Sequence, residues 1–190
     1  MTNGQHVLLT TSRRPTNVMR TLCRDLSHAL PMIVRTNRGK LGMTGIAEKA
    51  LELNLEKVVI IGKWKSELEV QFFHVKHEGL EFVPPLVYLR VVKLRRDFKE
   101  MPRGKRIKSI AITTSPEENL ESRKFLNFLS NFFKIPQISL EEVICGKYDA
   151  VLQILKDSLN RKILTFKLTP ELLEVGPRLN ISRLVWGMKR

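Results

Sequence analysis

The segment Val7-Leu8-Leu9-Thr10-Thr11-Ser12 is echoed 103 residues later by Ile110-Ala111-Ile112-Thr113-Thr114-Ser115, and this recurrence predicts a chain built of two similar halves. Each copy is a short apolar run closing on small hydroxyl side chains, the pattern of a buried strand that runs into a loop. The strands are predicted over residues 6–12 and 107–115. A helical period follows each. After Pro15 and Thr16 the apolar positions are Met19, Leu22, Cys23, Leu26, Ala29 and Leu30. In the second copy they are Leu120, Phe125, Leu129, Phe132 and Phe133. Both sets hold the i, i+3, i+4, i+7 spacing of one helix face. Laid over each other without a gap, residues 7–30 and 110–133 are identical at six of 24 positions. These are Thr10, Thr11, Ser12, Arg20, Leu26 and Ser27 against Thr113, Thr114, Ser115, Arg123, Leu129 and Ser130. Leu22, Cys23, Ala29 and Leu30 also fall on Phe125, Leu126, Phe132 and Phe133, so the buried face is kept.

Outward from these anchors, Pro31 ends the first helix and residues 32–35 form the next strand. A glycine-containing loop over 36–45 leads to a helix over 46–53 and a strand over 57–62. Residues 67–75 alternate, with Leu68, Val70 and Phe72 opposite Glu67, Glu69 and Gln71, which predicts a half-buried strand. Its antiparallel neighbour is expected over 86–92. In the second half Ser139 caps a helix that carries Glu141 and Glu142 in its first turn and runs to about residue 159 with a break near Gly146. Strands over 163–168 and 179–186 follow. The expected fold is α/β: two similar α/β halves in tandem, residues 5–96 and 107–187, each a small mixed sheet packed on helices. Together they make one domain, and the joint near 97–106 includes Pro102 and Gly104.

The chemistry of the chain is basic. Lys and Arg number 33 against 19 Asp and Glu, giving a net charge of +14 in 190 residues and a pI near 10.1. Such a surface favours a polyanion, because each phosphate it neutralises releases a condensed cation. A hydrophobic share of 43% excludes a disordered chain. No run of 18 apolar residues exists and the first residues resemble no signal region, so a soluble cytoplasmic protein is expected, with no membrane partner. Cys23 and Cys145 both fall in apolar helical patterns and are expected to be reduced core residues.

Half of the net charge sits between residues 90 and 108, where nine basic residues face Asp97 and Glu100 alone. Arg95, Arg96, Arg103, Lys105 and Arg106 in this run are candidates to track a phosphate backbone, against the alternative of a solvated linker. Arg35, Arg38 and Lys40 surround Asn37 and Gly39 just after a strand. Asn37 suits a base edge or a 2′-hydroxyl; the alternative is an ordinary turn. Arg13 and Arg14 follow the first strand, and ligands of parallel sheets gather beyond the carboxyl ends of the strands. Among the aromatics, Trp64 and Tyr88 are the candidates for stacking on unpaired bases, although a structural role competes for each. No GxxxxGK[ST] loop and no zinc-spaced Cys/His set exists, so neither a cofactor, a metal nor a catalytic activity is expected.

Thr11-Ser12-Arg13-Arg14-Pro15-Thr16, Asp25-Leu26, Arg38-Gly39-Lys40 and Gly176-Pro177-Arg178-Leu179 follow one another in an order that resembles the Brix-domain family over residues 5–186. The chain is similar to a short archaeal member that lacks the extensions of eukaryotic relatives. The resemblance implies a fold of two similar α/β halves akin to the anticodon-binding domains of some aminoacyl-tRNA synthetases. It implies a role in ribosome biogenesis through ribosomal RNA or its precursor, aiding pre-rRNA processing or folding. It also implies an RNA-binding segment toward the carboxyl end, which adds Arg178 and Arg183 to the candidates; a buried tie to a helix end is the alternative for Arg178. Departures from the family pattern are Gly45-Ile46-Ala47-Glu48 after Arg-Gly-Lys and Pro84-Pro85 where Gly-Pro is common. The leading expectation is a non-catalytic rRNA-binding assembly factor that meets ribosomal or ribonucleoprotein components. Its rivals are a protein-interaction scaffold with incidental RNA contact and an RNA-modifying enzyme.

Overall fold

The computed structural model describes residues 4, 6–98, 106–114 and 119–187. By packing they divide into two units: a first with residues 4, 6–27, 32–90 and 182–187, and a second with 28–31, 91–98, 106–114 and 119–181.

The first unit is built on β1 (Val7–Thr11), buried along its whole length between β2 (Ile33–Arg35) and β3 (Lys57–Trp64), both parallel to it. A strand covered on both faces has no polar side, which is why residues 7–9 read as an unbroken apolar run. Helix α1 (Asn17–Ala29) joins β1 to β2 and buries Met19, Leu22 and Cys23. Its first turn is closed by the Thr16 hydroxyl, which accepts from the Met19 amide at 3.3 Å. Helix α2 (Met43–Glu52) buries Ile46 and Ala50 against Leu8, Val58, Ile60 and Phe73. Strands β4 (Glu67–Lys76) and β5 (Gly79–Lys93) continue the sheet antiparallel, in the order β2-β1-β3-β4-β5.

The second unit starts from β6 (Ile110–Thr113), also fully buried and flanked by parallel β7 (Gln137–Ile138) and β8 (Ala150–Lys156). Helix α3 (Leu120–Phe133) buries Phe125, Leu126, Leu129, Phe132 and Phe133. The Asn119 side chain caps it by accepting from the Ser122 amide at 2.8 Å, and Lys134 ends it in the left-handed conformation. A short α4 (Leu140–Ile144) precedes β8, and β9 (Lys162–Leu168) runs antiparallel to β8. The two-residue β10 (Leu173–Glu174) pairs with β9, and so does the start of β11 (Arg178–Val185), giving β7-β6-β8-β9-β11. From Ser182 onward β11 counts with the first unit, where the Ser182 hydroxyl donates to the Tyr88 carbonyl at 3.0 Å. Both units are therefore mixed α/β assemblies.

Several expectations need correction. The helix expected from Ser139 to about residue 159 stops at Ile144, and residues 150–156 form β8. The apolar run Ala150-Val151-Leu152 is buried because β8 lies between β6 and β9, not because it sits on a helix face. Cys145, expected in the core, is exposed at the end of α4. Leu120, expected on the buried side of α3, is its first residue and is 83% exposed. β5 begins seven residues before the expected start at 86; the register slips opposite Gln71, where Pro84 and Pro85 fall, so the strand passes through them by a bulge. The expected joint lies mainly outside the described residues, as do Arg103 and Lys105.

Candidate nucleic-acid interface

Because β1, β2 and β3 are parallel, their carboxyl ends leave the sheet on one side. Leu9 is level with Arg35 and Thr11 with Ile61. Beyond these pairs the Thr36 amide donates to the Leu9 carbonyl at 3.0 Å, and the Ser12 amide to the Ile61 carbonyl at 2.8 Å. The loops after β1 and β2 thus start side by side, and the first turn of α1 rises behind them.

Between them lies a cavity of about 330 Å³ lined by Thr11, Ser12, Arg13, Arg20, Cys23, Arg35, Asn37 and Arg38 among others. Four of the lining side chains are guanidiniums and none is a carboxylate. Arg38 is the most fixed of the four: its Nε donates to the Leu41 carbonyl at 3.0 Å and its Nη1 to the Thr11 carbonyl at 3.4 Å. Burial, and then the positive charge of Arg13, lowers its pKa below the ordinary arginine value. An anion in the cavity relieves both costs. Arg20 Nη1 donates to Asn17 Oδ1 at 3.2 Å, which holds that guanidinium at the first turn of α1. Glycine serves two different needs here, a left-handed backbone at one point and space at another. Gly39 has φ +56°, and a Cβ on Gly42 would sit 3.3 Å from Arg13 Nη2. At the floor, burial pushes the Cys23 thiol up to about 12, and Arg35 draws it down only in part. Such a thiol stays protonated and is a poor nucleophile.

No family model matches the chain. Curated relatives do. The "Probable Brix domain-containing ribosomal biogenesis protein" of Pyrococcus horikoshii is 31% identical over 127 residues, 65% of this chain and 56% of that protein. The protein of the same name from Thermococcus kodakarensis is 29% identical over 122 residues, 63% of this chain and 58% of the relative. The chain is similar to these two archaeal proteins over that stretch. The match spans less than two thirds of the length of either relative. In fold, the chain is similar to the crystal structure of a "probable ribosomal biogenesis protein" from Aeropyrum pernix K1, with a TM-score of 0.69, 21% identity and coverage of 96% and 99% of the two chains.

The Brix-like motifs fall in different places. Thr11-Ser12-Arg13 and Arg38-Gly39 line the cavity, together with Arg35 and Asn37. Arg14 and Lys40 are exposed on the same two loops without lining it. Arg20, absent from the sequence candidates, belongs to the cavity. Its signal was present, since it is one of the six positions kept between the repeated segments. Arg178, in the Gly176-Pro177-Arg178-Leu179 motif, lies in the second unit and forms a bidentate pair with Glu174, its Nε donating to Oε1 at 2.7 Å and its Nη2 to Oε2. Despite the cost of burial, this pairing and the Thr165 hydroxyl hold the Glu174 carboxyl below its ordinary pKa. Arg95 and Arg96 form one turn of 3-10 helix in the second unit, whose Asp97 carboxylate accepts from the Leu94 amide at 2.8 Å, and Arg106 is exposed in that unit. Tyr88 is buried, with the Arg183 guanidinium 4.2 Å over its ring, whereas Trp64 is exposed.

Proposed function

We propose that this chain is a cytoplasmic, non-catalytic ribosome-assembly factor that grips ribosomal RNA or its precursor by the phosphate backbone, alongside ribosomal or ribonucleoprotein components. The observation that carries the reading is the cavity at the ends of β1 and β2, with four arginines and no acid. Oriented guanidiniums match phosphate oxygens in geometry as well as charge. The names of the curated relatives support a place in ribosome biogenesis. In this reading Arg13, Arg20, Arg35, Asn37 and Arg38 form the primary contact, with Arg14 and Lys40 at its rim. Arg95, Arg96 and Arg106 of the second unit, together with Arg103 and Lys105, which lie outside the described residues, are further candidates for backbone contact, and Arg178 is first a structural tie. We also read the two α/β halves, residues 5–96 and 107–187, as a tandem pseudo-repeat. The equivalent orders β2-β1-β3-β4-β5 and β7-β6-β8-β9-β11 support it, as do the caps Thr16 and Asn119, 103 residues apart.

The test is binding of the purified chain to ribosomal RNA fragments and to size-matched unrelated RNA across a salt series. Affinity that falls steeply with salt and favours a ribosomal fragment is the expected result. A flat salt response overturns the proposal.

A further inference from the structure

The β3–β4 hairpin carries a second recess that shares no residue with the arginine cavity. β3 runs three residues past Ile61 and ends at Trp64. Lys65, in the left-handed conformation at φ 54°, and Ser66 then turn the chain back to Glu67. Trp64 is left 49% exposed at this tip. The recess beside it measures about 400 Å³ and is lined by Trp64, Lys65, Glu67, Arg90 and Arg183 among others. Its two guanidiniums are tethered. Arg90 Nε lies 3.2 Å from Glu67 Oε1, and the Arg183 guanidinium carbon sits 4.2 Å from the ring centroid of the buried Tyr88. Three cations against one carboxylate leave the recess net positive.

We propose that this recess holds one unpaired nucleobase stacked on the Trp64 indole, with the flanking phosphates against Lys65 and Arg90. The inference rests on the RNA-binding reading above and adds to it the state of the RNA: single-stranded at this point. A base inside a duplex offers only its edges, whereas an unpaired base offers a π-face to an exposed aromatic ring. The parallel strands set the direction. β3 carries Trp64 about 10 Å beyond the level of Thr11, at roughly 3.3 Å per residue. Both sites thus open at the same end of β1 and β3, and one strand of RNA serves both.

The test uses the full chain and three probes: an unpaired RNA octamer of mixed sequence, the same octamer as a duplex, and an abasic ribose-phosphate octamer. Trp186 is the only other tryptophan, so Trp186→Phe leaves Trp64 as the sole indole emitter. The unpaired octamer is expected to quench that emission and the abasic octamer to bind without quenching. In the otherwise native chain, Trp64→Leu weakens the unpaired octamer between about fivefold and 150-fold, the range measured for base stacking. It leaves the abasic and duplex probes unchanged, and Trp64→Tyr restores most of the loss. Unpaired RNA that binds equally well to Trp64→Leu overturns the inference and leaves the RNA-binding reading standing. Failure of all three probes to bind at low salt overturns both. Quenching by an acidic peptide but not by the bound octamer assigns the recess to protein and overturns the inference.

Discussion

The two units place opposite chemistry at the same point of the sheet. In the first, β2 ends level with Leu9 at Arg35 and the chain continues through Thr36-Asn37-Arg38 as an open loop around the arginine cavity. In the second, β7 is level with Ile112 at Gln137, and α4 begins within three residues. There Ser139 and Glu142 close a capping box, the Glu142 amide donating to the Ser139 hydroxyl at 3.3 Å and the Ser139 amide to the Glu142 carboxylate at 3.0 Å. In sequence alone, Ser12-Arg13-Arg14-Pro15 aligns with Ser115-Pro116-Glu117-Glu118, which lies outside the described residues. Similar strand orders thus present a cationic end in one unit and an acidic end in the other. The acids suit a helix start, where they meet the positive end of its dipole; the arginines suit an external anion. The scaffold sets where the loops meet, and the loops decide what they attract.

The sharpest contrast lies in the cysteines. Cys23 is buried under the cavity with its thiol at about 12, and Cys145 is exposed on α4. At pH 8 a thiol raised from 9.0 to about 12 holds roughly a thousandfold less thiolate. Iodoacetamide followed by mass spectrometry is expected to label Cys145 and spare Cys23 until the chain is unfolded. Equal labelling would show that the first unit opens readily. Next in size is charge reversal. Arg13→Glu with Arg35→Glu is expected to weaken ribosomal RNA binding about a hundredfold at 0.1 M salt, two phosphate contacts being replaced by repulsion. Glu141→Lys in the second unit should change affinity less than twofold, and a comparable response there would erase the contrast.

Asp149 Oδ2 accepts from the Lys108 and Ser109 amides at 2.8 and 2.9 Å and from the Ser109 hydroxyl at 3.1 Å, which pins the approach to β6. Asp149→Ala strips part-buried donors of a charged acceptor and should cost about 2 kcal/mol, roughly thirtyfold in the folding equilibrium. Denaturant unfolding measures it, and RNA affinity of the folded fraction should not change. The smallest effect is in the salt dependence. Arg20→Gln is expected to lessen the slope of log affinity against log salt by about 0.7, the contribution of one phosphate contact on a single strand. An unchanged slope would remove Arg20 from the interface.

The elements that repeat were the most legible. β1, α1, β6 and α3 combine an apolar run, a capping side chain and a clear helical period, so local preference and tertiary packing agree. β8 was not legible as a strand, because seven residues, mostly apolar and without a clear period, suit a buried strand or a buried helix face equally. Nor was the first half of β5, since Pro84-Pro85 resembles a break until the bulge opposite Gln71 is seen. At the candidate site, Arg13, Arg35, Asn37 and Arg38 could be grouped in advance because parallel strands deliver their carboxyl-end loops to one place. Arg20 escaped because a helical arginine ordinarily faces solvent, and its role depends on how α1 is set behind β1. The tie between Arg178 and Glu174 spans four residues across a turn, which no helical spacing rule covers.

The path of β11 has a consequence for how the chain is made. Tyr88 belongs to the first unit, yet Ser182, which hydrogen-bonds its carbonyl, and Arg183, which covers its ring, lie more than ninety residues later. Translation at about 5–20 residues per second puts roughly five to twenty seconds between their syntheses. Through that interval a nascent chain holds β5 without the strand that finishes it, and an unfinished strand edge invites pairing with other chains. Of the residues that cover Tyr88, the two that complete this edge arrive late in synthesis, so a ribosome that stalls before codon 182 leaves the first unit formed but unsealed.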